Sequence, residues 1–539
     1  MTALIPLSAC APARAGAKAA ALGRLLRAGL PVPDSAVVPL GTADSDLPGA
    51  VGQVLAWAEQ RAPYGLIARS SAPGEDGTVS SFAGLYDSVI TPRTPARVLA
   101  ALRQVRACVH APAVTAYAAA CGLRPDDELA VLVQPALRPA LSGVLAAEVT
   151  GGRCVRWRIE AVRGLAELLV SGAQTGEIHV GRAAAAGNVV PCSQPLIHLP
   201  GTGPELELPP GEWVTVPAAR HAPAARAKVA GSHGGVLHLR TPAAWADVPV
   251  LAPRERDELL DLAAGAARAL GLEQIDMEWA VTAGGPVVLQ ARPLTRPVHD
   301  GALPEPPADG WSGLAAVAGI ATGPAARLGR GTPPEGAVLI CGALGPEAAA
   351  ALLRGPAAVV SSTGGPLSHT AIIARELGIP CVTNVPEALA RIPDGMVVEV
   401  DGTAGTVRPA PTVPSPRQEQ KPVSRRDAAV VTTSIPDTLP GDGRAATLVL
   451  HDPSRADLGV LARALANASE AAGPLGVLLP DGMPPSAALP AHHPAFVLRT
   501  ANGLAVLWPQ RAGGLPARVV TLDTDDRVIV ERPLGRSAS

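Results

Sequence analysis

Two adjacent glycines, Gly364 and Gly365, separate an apolar run, Ala357-Ala358-Val359-Val360, from an amphipathic one that opens at His369 and continues Thr370-Ala371-Ile372-Ile373-Ala374-Arg375-Glu376-Leu377. No other stretch limits the local fold as tightly. The apolar run predicts a short buried strand over residues 357–360, and the second run predicts a helix over residues 369–377. The glycines let the backbone turn sharply and approach a ligand closely. His369 therefore falls in the first turn of a helix, where free N–H groups and the positive end of the helix dipole favour a phosphoryl group. A neutral imidazole is a good nucleophile near pH 7, so a phosphorylated histidine is chemically reasonable there. Arg375 reads either as a partner for phosphate charge or as a surface cap. An isolated histidine at a helix start is ordinarily only a polar residue, and it is the surrounding string that raises this one above that reading.

The chain has 539 residues, enough for three or four units. Its formal net charge of −2 argues against broad nucleic-acid binding and against a polybasic membrane anchor. Aromatic residues make up only 2%, so the core must come from Leu, Val and Ala. The seven cysteines are odd in number and none is spaced C-x-x-C, which disfavours a disulfide framework or zinc site and fits a reducing cytoplasm. Leu7-Ser8-Ala9-Cys10 has the form of a lipoprotein cleavage box, but no basic residue precedes it and its apolar stretch is short. No apolar run approaches the ~20 residues needed to span a bilayer.

Residues 1–300 alternate helix-like and strand-like patterns. Helices are predicted over residues 18–29 and 255–270, and strands over residues 66–68, 128–134, 275–280 and 286–290. Residues 183–250, rich in Pro, Gly and Ala, carry little periodicity. Residues 294–310 read as a linker. Residues 311–409 form a compact strand–helix alternation, with further strands at residues 338–340 and 397–400 and a helix at residues 346–353. The Pro-rich, charged residues 410–427 form a second linker. Residues 428–539 read as a small α/β unit with a helix near residues 454–472.

The string from Thr363 through Gly364-Gly365, Ser368-His369, Ala374-Arg375-Glu376 to Gly378-Ile379-Pro380 closely resembles the signature of the swivelling phosphohistidine domain in phosphoenolpyruvate synthase, pyruvate phosphate dikinase and rifamycin phosphotransferase. Asp394-Gly395 and Val400-Asp401-Gly402-Thr403 with Gly405 and Val407 look like that domain's closing strands. The first 300 residues resemble the same family's ATP-grasp-like domain in five separated segments. These are Ala15-Gly16-Ala17-Lys18-Ala19-Ala20; Ala68-Arg69-Ser70-Ser71-Ala72-Pro73-Gly74-Glu75-Asp76 with Ser81-Phe82-Ala83-Gly84; Val133-Gln134 with Ser142-Gly143-Val144; Gly164-Leu165-Ala166-Glu167 with Ser171-Gly172; and Ile275-Asp276-Met277-Glu278-Trp279-Ala280 with Leu289-Gln290-Ala291-Arg292-Pro293. No G-x-x-x-x-G-K-[ST] is present, so a P-loop does not compete.

The resemblance implies an α/β multi-domain fold: an ATP-grasp-like domain over 1–300, a swivelling β/β/α phosphohistidine domain over 311–409, and a small α/β domain over 428–539 as a possible acceptor or partner-binding unit. It implies ATP and Mg²⁺ as cofactors, His369 as the catalytic nucleophile, Lys18, Arg69 and Arg292 on phosphates, and Glu278 and Gln290 around nucleotide and magnesium. Read on its own, the pattern puts Glu278 and Gln290 on adjacent strands, with Arg292 two residues on and facing the same side. The sequence departs from relatives at Ala113-Val114-Thr115-Ala116-Tyr117-Ala118, where an R-A-x-x-YR string is expected; Arg103 and Arg106 are the nearby substitutes. Relatives also carry a pyruvate-binding barrel or an antibiotic-binding domain that these spacings do not accommodate. The acceptor is then a small metabolite hydroxyl, carboxylate or amide, or a separate acceptor protein to which the chain delivers phosphate. His451, Asp452, His492 and His493 are the polar candidates in the terminal unit. The third reading is a degenerate nucleotide-binding module without turnover. No nucleic acid or membrane partner is expected, and the location expected is the cytoplasm.

Overall fold

The computed structural model describes residues 3–75, 82, 84–120, 126–183, 188–220, 222, 225–246, 248–294, 307, 309–330, 333–334, 336–344 and 346–410, and beyond them a set of carboxyl-terminal strands. The chain divides into two compact units, residues 1–411 and 412–539. The second linker, the helix expected near residues 454–472 and the four polar candidates of the terminal unit lie outside the described residues.

The first unit is organised around four sheets. A five-stranded antiparallel sheet runs Ile5–Pro6, Ala36–Val38, Ala130–Pro135, Leu66–Ser71, Ser88–Thr91. A six-stranded antiparallel sheet runs Gly285–Pro293, Gln274–Thr282, Leu141–Thr150, Arg153–Arg163, Glu177–Arg182, Asn188–Val190. Its inner apolar face packs against the helix Pro253–Leu270, through Leu259, Ala263, Ala266 and Ala267. Aromatic residues are few, yet Trp157 and Trp279 are among the largest fully buried side chains. Each lies opposite a glycine on the neighbouring strand, Trp157 across from Gly181 and Trp279 across from Gly143. A Cβ at Gly181 would come within 2.2 Å of the Trp157 ring, and one at Gly143 within 1.9 Å of Glu160 O and 2.8 Å of the Trp279 ring, so both positions leave no room for a side chain.

Residues 183–250 hold a four-stranded antiparallel sheet of Leu196–Pro200, Val236–Arg240, Ala225–His233 and Trp213–Val216. Residues 311–409 fold into an eight-stranded sheet ordered Trp311–Ser312, Thr406–Pro409, Val397–Asp401, Ile320–Arg327, Val338–Cys341, Ala358–Ser361, Cys381–Thr383, Leu314–Val317. Its centre is parallel and fully buried along Val338–Cys341 and Ala358–Ser361, as strands covered on both faces should be. The expected helices are Pro346–Leu352 and His369–Glu376. In the second unit the described strands Ala429–Val431, Ala446–Leu450, Leu475–Leu479, Gly503–Leu507 and Phe496–Thr500 form one sheet, and Arg518–Leu522 pairs with Val528–Pro533.

Candidate active site

The helix Pro12–Arg27 starts earlier than the sequence predicts, but Gly16 interrupts it with φ 75 and ψ 171. A side chain at Gly16 would strike the Ser71 carbonyl at 1.9 Å, so only glycine lets the strand Leu66–Ser71 abut the helix here. Ala17 N–H donates to Ala72 O at 2.9 Å and Ala19 N–H to Ser71 Oγ at 3.0 Å. This join buries Lys18, whose Nζ donates to Glu75 Oε1 at 2.7 Å and to Ser70 Oγ at 3.4 Å. Asp76, Ser81 and Ala83 of the same loop lie outside the described residues.

Arg69, on the strand Leu66–Ser71, reaches across to the six-stranded sheet. One of its terminal nitrogens donates to both Glu278 Oε2 at 2.7 Å and Gln290 Oε1 at 2.9 Å. The other donates to Leu289 O at 3.3 Å. That carbonyl is turned out by a bulge, because Glu278 pairs with Gln290 while Trp279 pairs with Val288, leaving Leu289 as the extra residue. Glu278 and Gln290 are thus direct cross-strand neighbours, and Asp276 and Arg292 form the next pair on the same face. Arg292 donates to Asp276 Oδ2 at 2.8 Å. Burial would raise the Glu278 pKa, but Arg69, His369 and Lys18 outweigh it and hold it at about 2. The carboxylate is ionised at neutral pH and shares a cation with a neighbouring amide oxygen. Such a hard oxygen pair fits Mg²⁺, which binds through one or two protein oxygens plus phosphates. Among the described residues no group of three or more His, Cys, Asp or Glu forms a metal cage.

His369 is the first residue of the helix His369–Glu376, with Ser368 at the cap. It faces Glu278, Gln290, Arg292 and Asp276 across a narrow cleft, lined at the sides by Val144, Val170, Leu367 and Ile372. His369 is half-buried, and desolvation is the main cause that lowers its pKa to about 4. Glu278 opposes that shift, while Arg292, Lys18 and Arg69 reinforce it. The ring is therefore neutral at physiological pH, the form a nucleophile needs.

The histidine segment is seated on the amino-terminal sheets by contacts that the sequence does not announce. Gly84, with φ 67, lies so close to the His369 ring that a Cβ there would come within 2.5 Å of its Cβ and Nδ1. Gly364 N–H donates to Thr175 Oγ1 at 3.0 Å, and Thr363 Oγ1 donates to Gly172 O at 3.2 Å. Tyr117 OH donates to Glu376, so the tyrosine of the altered 113–118 string touches the histidine helix. Of the nearby arginines, Arg106 pairs with Asp44 at 3.2 Å and Arg103 is exposed on its helix. Arg375 is neither a surface cap nor a cleft residue. It is buried and donates to Pro366 O at 2.7 Å and Ala316 O at 3.2 Å, bracing the turn before the histidine. The described cysteines, Cys10, Cys108, Cys154, Cys192, Cys341 and Cys381, are free. Among the described residues no helix is long and apolar enough to cross a membrane.

The cleft thus sets an acid–amide pair and Arg292 against one histidine, with Lys18 and Arg69 near enough to act on its charge. Comparison with known proteins assigns the two domains that meet there. Residues 45–183 match the pyruvate phosphate dikinase AMP/ATP-binding domain, and residues 333–405 match the mobile domain of PEP-utilising enzymes. A probable phosphoenolpyruvate synthase from Archaeoglobus fulgidus is 28% identical over 394 residues, 68% of this chain and 47% of its own. The phosphoenolpyruvate synthase of Pyrococcus furiosus is 28% identical over 358 residues, 63% of this chain and 40% of its own. The prodigiosin synthesizing transferase PigC of Serratia marcescens is 28% identical over 313 residues, 53% of this chain and 32% of its own. The chain thus spans less than half the length of these relatives. Its residues 45–183 and 333–405 are therefore similar to the ATP-binding and mobile domains of phosphoenolpyruvate synthases and pyruvate phosphate dikinases.

Proposed function

We propose that the chain is an ATP-dependent phosphotransferase of dikinase type, carrying phosphate on His369 from ATP to a small-molecule acceptor. The observation that supports this most is the neutral His369 ring facing the Glu278–Gln290 pair and Arg292 across one cleft. Lys18, Arg69 and Arg292 bind the ATP phosphates, each exchanging a carboxylate partner for phosphate oxygens. Glu278 and Gln290 would hold Mg²⁺, which neutralises charge on the phosphates when bound. A ring nitrogen of His369 bonds to the β-phosphorus as the bond from that phosphorus to the bridging α-oxygen breaks, and AMP leaves. Water then cleaves the γ-phosphate from the pyrophosphoryl group, releasing inorganic phosphate and leaving phosphohistidine. An acceptor oxygen or nitrogen next attacks that phosphorus and frees the imidazole. The domains responsible are residues 1–300 and 311–409.

Separate incubations with β-³²P and γ-³²P ATP test the reading. The β label should stay on the protein as an acid-labile, base-stable adduct, and the γ label should appear as inorganic phosphate with one AMP per adduct. Retention of γ label with ADP as product would overturn the dikinase assignment. AMP release that requires an added metabolite, rather than a second protein, separates a small-molecule acceptor from a phosphocarrier role.

The pH dependence follows from the ring's environment. Protonation removes the nucleophile, so the single-turnover rate should rise with pH through about 4 and stay flat above it. An unperturbed imidazole would instead titrate near 6.5. A rate that halves near that higher value would mean the reacting ring is solvated rather than held in the cleft.

A further inference from the structure

We propose that Glu160 is a positioning residue that seats the turn carrying His369, by accepting the Leu367 N–H and abutting Gly365. The inference deepens the reading above and rests on it. Glu160 lies in one cross-strand row with the cleft: Gln290 pairs with Glu278, Glu278 with Val144, and Val144 with Glu160. Residues directly opposite one another share a face of the sheet, so Glu160 looks toward the histidine segment as Glu278 does. The row beside it runs Arg292, Asp276, Ala146, Arg158. One face therefore carries the polar groups of the cleft at one end and a second charged pair, Arg158 and Glu160, at the other.

That second pair has no part in nucleotide binding as described. Both residues are fully buried, at 1% and 0% exposure, and Arg158 Nε donates to Glu160 Oε1 at 3.1 Å. The same carboxylate oxygen accepts the Leu367 N–H at 3.1 Å. The other oxygen, Oε2, makes no hydrogen bond, and a Cβ built on Gly365 would lie 1.9 Å from it. Gly365 is absent from the left-handed region, so steric room for Glu160, not backbone conformation, is what requires a glycine there. The carboxylate thus touches the turn two and four residues before His369. Arg375 braces the opposite side of the turn through Pro366 O.

The pair is also suited to letting go. A buried ion pair is costly unless its remaining donors and acceptors are satisfied, and here Arg158 keeps one terminal nitrogen and Glu160 one oxygen without partners. Withdrawal of the histidine segment would uncover the Glu160 oxygen that abuts Gly365. The contact fixes the register of docking without holding the domain so firmly that it cannot leave.

A double-mutant cycle on the full chain tests this, with single-turnover labelling of His369 from β-³²P ATP and ATP affinity as paired readouts. Glu160→Ala and Gly365→Ala should each slow labelling by about tenfold at saturating ATP without changing ATP affinity, and the double variant should be no slower than Glu160→Ala, since the clash is then gone. Glu160→Gln keeps an acceptor oxygen and should label within about threefold of the parent rate. The proposal fails if Glu160→Ala labels at the parent rate, if Gly365→Ala slows both backgrounds equally, or if ATP affinity falls in step with labelling. Should Glu160→Ala not fold, Gly365→Ala alone decides, because it leaves the ion pair chemically intact: unslowed labelling overturns the proposal. A parent protein that takes up no label overturns the His369 reading itself, a result distinct from a labelled parent with an indifferent Glu160.

Discussion

A His369→Asn protein should take up no phosphate from β-³²P ATP while binding ATP as the parent does. Removing the nucleophile of a covalent mechanism costs on the order of 10⁶ in rate, which places the variant at background in a filter or gel assay. Other histidines are poorly placed to replace it. His198 and His238 stack on each other 4.2 Å apart in the four-stranded sheet, with His198 beside Glu167 at 3.6 Å. His179 is held by Glu177 at 2.8 Å. Of the described histidines only His369 lines the cleft. Asparagine retains a polar group at a helix start, so a loss of label reports on chemistry rather than on the helix. Label uptake at the parent's stoichiometry would remove the central assignment. Equal ATP affinity in the two proteins excludes collapse of the nucleotide site as the cause of a loss.

Local order was legible where one short segment determined it. The strand–turn–helix around His369 and the hairpin carrying Glu278, Gln290 and Arg292 needed only glycine placement and strand alternation, and both stand where expected. The helix boundary at Pro12 was missed because Gly16 breaks the apolar periodicity just where tertiary contact with Ser71 demands it. The sheet within residues 183–250 was hidden for a related reason. Its strand Trp213–Val216 does alternate exposed and buried, but four residues among prolines and glycines are too few to establish a period. Partnerships were the least legible. Lys18 meets Glu75 from 57 residues away and Arg69 meets Glu278 from 209, and no local pattern records such pairings. Glu160 left little trace: the strand Arg153–Arg163 also carries Arg153, Arg156 and Arg163, so the charges at Arg158 and Glu160 do not stand out in the sequence as buried ones. The missing arginines at 113–118 read as a loss from the nucleotide site, yet Tyr117 of that string contacts Glu376 on the histidine helix, so part of its role is docking.

Gly84→Ala should slow phosphorylation of His369 by about 10², with ATP affinity unchanged, because misplacing a reacting group by roughly 1 Å costs that much. Two effects act at this position. Gly84 has φ 67, a conformation that a residue with a Cβ adopts only under strain. The new methyl would also sit 2.5 Å from the His369 Cβ and Nδ1 and 2.6 Å from its Cγ, well inside van der Waals contact. The helix carrying His369 is held by Arg375, Thr370 and Tyr117, so the ring cannot yield without the helix yielding too. Lys18, Arg69, Glu278 and Gln290 belong to other elements and keep their contacts, which is why binding should survive when transfer does not. Measuring the nucleotide dissociation constant beside the labelling rate separates the two. Equal losses in both would mean that Gly84 shapes the nucleotide site. Full labelling would mean that phosphorus reaches His369 in an arrangement other than the one in which Gly84 meets its ring.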